Sequence, residues 1–279
     1  MTTTLRPTVP LQQGADGAKS RRYEVCVNSR PVGTIELVTE VRHGAGAGRI
    51  AALAVDESDR RRGRATVAML AAEEVLRGWR CDRVDISVPA GAAAALRLVA
   101  ALGYTERNIN MGRPLSGPAP ELPTGISARA MTQGEFDAWL ARTRVNYVQG
   151  LTRRGFPEKA ARAKADADHA DALADGLATP DTYLGVLTRD DAVLGTLWLA
   201  LRHPFLGRTG GFVFDVEVAA AYRGRGHGRS LMLLAEQRAL DAGAEQIRLN
   251  VYADNVPALR LYESLGYEPQ MRHFYKQLL

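Results

Sequence analysis

The chain runs to 279 residues, 46% apolar and 24% charged, with a net charge of +5 carried mostly by arginine. That size implies two ordinary domains, and that balance a globular protein with a buried core whose basic excess favours phosphorylated or polyanionic partners. Cys26 and Cys81 stand far apart outside any CxxC pattern and no apolar run is long enough to span a bilayer, which argues against a disulfide framework, a zinc site or a membrane anchor and for a cytoplasmic location.

Met1–Ser20 is polar, lacks the apolar core of a signal peptide, and reads as a flexible terminus. β-rich runs at Tyr23–Val27 and Thr34–Thr39 open a domain expected over residues 21–115. Pro114–Gly125 is broken by proline and glycine, so residues 116–125 read as a linker. A second domain over 126–279 begins with an alanine- and charge-rich segment, Met131–Ala178, that reads as two helices. Thr132-Gln133-Gly134-Glu135 fits a capping box opening the first, and the Phe156-Pro157-Glu158 break precedes the second. Thr182–Thr188, Val193–Leu201 and Phe212–Val218 read as strands, and the stripe Leu231, Leu234, Ala235, Ala239 marks a helix over Ser230–Ala242. Ile247–Tyr252 is a further strand, Val256–Leu265 a helix and His273–Leu278 a last strand. Strands alternating with single helices argue for a mixed α/β sheet.

The two halves are copies of one another. Ala95-Leu96-Arg97-Leu98-Val99-Ala100-Ala101-Leu102-Gly103-Tyr104 aligns without a gap on Ala258-Leu259-Arg260-Leu261-Tyr262-Glu263-Ser264-Leu265-Gly266-Tyr267, an offset of 163 residues. The same offset lays Arg60-Arg61-Arg62-Gly63-Arg64-Ala65 on Arg223-Gly224-Arg225-Gly226-His227-Gly228, and Val55 on Val218. Val32-Gly33-Thr34-Ile35 echoes Leu194-Gly195-Thr196-Leu197 one residue out of step. A tandem duplication is the reading.

The Arg223–Gly228 turn joins a strand to a helix. Unpaired N–H groups and a positive dipole end at the helix start make such a unit a cradle for phosphate, and glycines let a pyrophosphate approach closely. By itself the turn is equally a tight surface loop with solvated arginines. The order strand, Arg-x-x-Gly-x-Gly turn, helix, strand, Asn255, helix with Tyr262, then Leu265-Gly266-Tyr267 resembles the GNAT superfamily of acyl-CoA-dependent N-acetyltransferases. The resemblance covers nearly everything after Gly125, and Tyr23–Leu115 in eroded form, so the plan is similar to tandem GNAT proteins. It implies two tandem GNAT folds, each a mixed central sheet flanked by helices, with the N-terminal one truncated.

For the second half it further implies acetyl transfer from acetyl-CoA to a primary amine in a ternary complex. The cosubstrate would be held by the Val216–Val218 backbone, by Arg223, Gly224, Arg225, Gly226, His227, Gly228 and Arg229, and by Asn255, which could equally be a helix N-cap. Asp215 and Glu217 share one face of their strand. Glu217 is the candidate general base, or else a carboxylate that binds the ammonium or pairs with an arginine. Asp215 is read as a structural or substrate-orienting carboxylate. Tyr262 would protonate the departing thiolate, the alternative being a core tyrosine. Asn146 and Tyr147 are candidate acceptor contacts, no metal is implied, and the acceptor would be a small-molecule or peptide amine. A monomer or homodimer is expected.

The first half carries Ala54, Ala92 and Val99 where the second has Glu217, Asn255 and Tyr262, so catalysis is not expected of it. The competing reading is a non-catalytic acyl-CoA sensor or a basic nucleic-acid-binding module using Arg60–Arg64. No aromatic-interleaved basic patch accompanies those arginines, and no nucleic-acid partner is expected.

Overall fold

The computed structural model describes residues 3–40, 46–153, 156–202 and 210–278. The chain divides into two compact units, residues 1–108 with 271–279 and residues 109–270.

In the first unit, β1 (Thr3–Pro7) pairs antiparallel with β3 (Lys19–Val27), where composition suggests a flexible terminus. The short β2 (Gln12–Gln13) caps β3. The sheet continues through β4 (Arg30–Glu40), β5 (Ala47–Val55) and β6 (Arg83–Pro89), and ends in residues Met271–Gln277 of the last strand, β13 (Glu268–Gln277). Helices α1 (Arg64–Gly78) and α2 (Ala93–Ala101) pack on it, burying Met69, Ala72, Leu76 and Val99 against Val25, Leu37 and Val84.

The second unit takes the end of β7 (Thr105–Pro114) from Ile109 onward. Its sheet order is β7, β12 (Gln246–Tyr252), β11 (Gly210–Val218), β10 (Ala192–Ala200), β9 (Thr182–Arg189), β8 (Ser127–Ala130). Helices α5 (His227–Asp241) and α6 (Val256–Ser264) complete the repeat. Leu231, Leu234 and Ala235 of α5 bury against Leu197, Leu199 and Ile247 of the sheet. Two further helices, α3 (Gln133–Arg153) and α4 (Glu158–Ala172), fall between β8 and β9 as the sequence indicates. The capping box forms: Thr132 N–H donates to Glu135 Oε2 at 2.8 Å, and Glu135 N–H to Thr132 Oγ1 at 3.3 Å. With Arg129 also donating to it, the Glu135 carboxyl is held down at about 2. Phe136 and Trp139 on α3 join Leu184, Val186 and Trp198 in a separate apolar cluster.

Each unit is finished by a strand from the other half of the sequence. Lys276 on β13 places Nζ 3.0 and 2.8 Å from the two oxygens of buried Glu73 on α1, and Tyr104 donates its hydroxyl to the same carboxylate at 3.0 Å. One repeat offset away, Arg113 on β7 reaches buried Glu236 on α5 at 3.3 Å and the Leu265 carbonyl at 2.7 Å. A boundary at residues 116–125 would keep β7 and β13 with their own halves; the structure distributes them reciprocally. A buried carboxylate needs a paired cation, and these exchanged strands supply it.

Lys276→Met should therefore cost about 3 kcal/mol in chemical denaturation, because it strands a charge on Glu73. The double change with Glu73→Gln should recover much of the loss; equal destabilisation by single and double variants would refute the pairing.

Candidate active site

The site begins where two strands part. β11 runs parallel to β12 over Gly210–Val213 opposite Gln246–Leu249, and the register ends there although β11 continues to Val218 and β12 to Tyr252. On its other side β11 stays with β10 to the pair Gly195–Val218, with a bulge that leaves Phe214 between the pairs Trp198–Asp215 and Leu199–Val213. A bulge inserts one residue and bends its strand, which turns the far end of β11 away from β12. The opening exposes the edge of residues 214–218 facing β12, the stretch from which free backbone donors are expected.

Beyond β11 a single 3-10 turn, Ala220–Tyr222, leads into the glycine turn. Gly226 caps α5 with φ +84°, a left-handed conformation that penalises any side chain. At Gly228 the constraint is space: an added Cβ would lie 3.0 Å from Leu261. Described helical bonding starts with Arg229 and Ser230, both donating to the Gly226 carbonyl. The earlier N–H groups thus lie at the positive end of α5. Arg223 donates through Nε to the Val218 carbonyl at 3.1 Å, and Arg229 through Nη2 to Ser264 Oγ at 2.8 Å. These two arginines brace the turn against β11 and α6, while the Arg225 guanidinium lies 6.0 Å from the Tyr222 ring centroid. His227 is buried, and burial together with Arg189 and Arg225 lowers its pKa. Asn255 caps α6, accepting from Ala258 N–H at 3.3 Å.

A cleft of about 860 Å³ opens beside Asp215 and Glu217, lined also by Asn146, Tyr147, His169 and Trp198. The two carboxylates differ in environment. Glu217 accepts from Arg142 Nε at 3.0 Å. Asp215 accepts from Trp139 Nε1 at 3.4 Å. Burial, reinforced by the Glu217 charge, pushes Asp215 up to about 6 against the opposing pull of Trp139 and Arg142. Tyr262 is raised to about 12, first by burial and then by the Asp215 charge. Tyr147 donates its hydroxyl to Asp168 at 2.7 Å. The cleft thus gathers Asp215, Glu217, Asn146 and Tyr147 from elements far apart in the chain. Trp198 and His169 join them in the lining without any local motif, while Arg142 and Trp139 on α3, likewise outside any motif, donate to the two carboxylates. Among the described residues, no group of three or more His, Cys, Asp or Glu side chains could hold a metal.

The first unit repeats this frame. β5 pairs with β6 over Ala47–Ile50 only, and a bulge leaves Ala51 between the pairs Glu36–Ala52 and Leu37–Ile50. Arg60 donates to the Val55 carbonyl at 2.9 Å, and Gly63 caps α1 with φ +72°. The side chains differ: Ala52, Ala54 and Val99 occupy the positions of Asp215, Glu217 and Tyr262.

Comparison with known proteins agrees with this geometry. The model of the acetyltransferase (GNAT) family matches residues 5–104 and 146–267. The mycothiol acetyltransferase of Saccharomonospora viridis is 30% identical over 240 residues, 82% of this chain and 74% of that one. The mycothiol acetyltransferase of Thermomonospora curvata is 32% identical over 228 residues, 80% of this chain and 71% of that one. A GCN5-related N-acetyltransferase from Sphaerobacter thermophilus superposes with a TM-score of 0.58 over 92% of this chain and 80% of its own, at 20% identity, a likeness of fold.

The raised Asp215 carboxyl has a stability consequence. A folded-state pKa above the unfolded value means that the ionised form is penalised in the fold, and the penalty vanishes once both states are protonated. Asp215→Asn should raise the melting temperature above pH 6, by an amount corresponding to about 1 kcal/mol after allowance for solvent screening. The gain should shrink to nothing below about pH 4. A melting temperature unchanged across that range would contradict the shift.

Proposed function

The chain belongs to the GNAT acetyltransferase family, and from that membership we propose that its second unit moves the acetyl group of acetyl-CoA onto the primary amine of a small molecule. The observation carrying this reading is the convergence of the β11–β12 opening, the glycine turn and the cleft on one strand, β11. The mycothiol acetyltransferase relatives support a small-molecule acceptor.

The residues present suit the cosubstrate. The left-handed Gly226 and the crowded Gly228 stand at the start of α5, where the unpaired N–H groups of a helix end suit a pyrophosphate. Bound acetyl-CoA supplies a thioester whose acyl carbon joins the amine nitrogen as its bond to sulfur breaks. The remaining work falls to the protein. Backbone N–H groups along Val216–Val218 stabilise negative charge on the carbonyl oxygen. An arriving ammonium must lose a proton, and a carboxyl near 6 accepts it better than one in the ordinary carboxylate range. We therefore assign proton acceptance to Asp215. Glu217, the base suggested by the sequence, is engaged by Arg142 and serves to hold the ammonium. Tyr262 retains its proton at neutral pH and is the acid for the leaving sulfur. Neutralising Asp215 removes the second of the two causes that make Tyr262 a weak acid, so deprotonating the amine readies the donor. The first unit, with alanine and valine at these positions, contributes no transfer chemistry in this reading.

Thiol release from acetyl-CoA in the presence of primary amines tests the proposal. kcat/KM should fall below about pH 6, where Asp215 becomes protonated. Asp215→Asn should lower it by a factor on the order of 100 to 10,000 and flatten that acid limb. Tyr262→Phe should lower kcat, and Glu217→Gln should act mainly on KM. If Glu217→Gln, and not Asp215→Asn, abolished the acid limb, the two carboxylate roles would be reversed.

A further inference from the structure

Two buried polar ring atoms, on residues that line the cleft, have no hydrogen-bond partner among the described residues: His169 Nε2 and Trp198 Nε1. Both side chains are more than nine-tenths buried, His169 at 7% exposure and Trp198 at 6%, and both residues line the cleft that holds Asp215. His169 Nδ1 lies 2.7 Å from the Ala165 carbonyl oxygen one turn earlier on α4. A carbonyl can only accept, so Nδ1 carries the proton and Nε2 of the neutral ring is a bare acceptor. Trp198 Nε1–H can only donate. The ring centroids are 5.7 Å apart and the planes 32° from parallel. Native interiors rarely leave such atoms unmatched, because each has lost its water without replacement.

A donor and an acceptor on neighbouring rings, both unmatched, complement one small group that does both. A hydroxyl gives its proton to His169 Nε2 and takes one from Trp198 Nε1–H. The surroundings are aromatic: Phe214 stacks on Trp198 at 4.5 Å, and Tyr147 meets His169 edge-on at 5.9 Å. The carbon skeleton carrying the hydroxyl would therefore lie against ring faces. Trp198 is also the cross-strand partner of Asp215, which sets this subsite beside the carboxylate assigned to deprotonate the amine.

We infer that the acceptor is an amino alcohol, with its amine at Asp215 and a hydroxyl a few bonds away seated between His169 and Trp198. His169 is a positioning residue in this scheme. The role of the amine rests on the acetyl-transfer reading; the hydroxyl subsite is a separate claim.

The probes are trans-2-aminocyclohexanol and cyclohexylamine, a pair differing by one hydroxyl. In the full chain labelled with 15N-histidine, the His169 signals are those missing from His169→Gln. The aminocyclohexanol should move the His169 Nε2 resonance and cyclohexylamine should leave it in place; no movement, or equal movement with both, overturns the subsite. In the thiol-release assay the amino alcohol should be favoured by about tenfold in kcat/KM, as one hydrogen-bonded hydroxyl allows. His169→Phe should remove that preference through KM, and His169→Gln should restore part of it. A preference that survives His169→Phe overturns the inference. Selective movement of the resonance without turnover of either amine supports the subsite and refutes acetyl transfer.

Discussion

The candidate site depends on the end of one strand pairing. β11 and β12 stay together through Val213, and the bulge at Phe214 then bends β11 away. The sheet could close only by giving up the backbone edge that the site needs. Because β11 remains anchored to β10 as far as Val218, the divergence costs no disorder, and the carboxylates are delivered on a strand fixed along one side. The Arg223 bond to the Val218 carbonyl then ties the glycine turn to the same strand, so the turn and the carboxylates share one support.

Frame and chemistry have separated in the duplication. The first unit keeps the bulge at Ala51, the early end of parallel pairing, the arginine brace to Val55 and the left-handed Gly63. It has Ala52, Ala54 and Val99 where the second unit has Asp215, Glu217 and Tyr262. Backbone geometry of this kind is held by packing, and core residues such as Leu37, Met69 and Leu76 must remain for the unit to fold at all. Asp215 brings no such benefit, because burial penalises its charge.

Much of this was legible in the chain. Periodicity places the strands and helices of the second half to within a few residues, and the capping box at Thr132–Glu135 forms as its spacing implies. The glycine turn and the repeat offset point to the candidate site. The ranking of the two carboxylates was not legible. Asp215 and Glu217 alternate along the same strand face, and what separates them lies on α3, where Arg142 takes Glu217 and Trp139 closes over Asp215. His169 looks like one more polar residue of an alanine-rich helix until Trp198 and the Ala165 carbonyl are placed around it.

The strand exchange shows the same division most sharply. The repeat offset lays β7 on β13, Arg113 on Lys276 and Glu73 on Glu236, so each cation could serve a glutamate on the helix after the turn. It does not say which glutamate. Both halves offer the same strand edge and the same buried carboxylate, so either assignment satisfies every local rule of pattern, charge and propensity. The sequence by itself therefore determined the repeated unit, its turn and its candidate chemistry, since those depend on neighbours within a few residues. Only the tertiary structure decided that Lys276 serves Glu73, that Arg113 serves Glu236, and that Asp215 is the desolvated carboxylate, because pairing and burial depend on residues brought together across the chain.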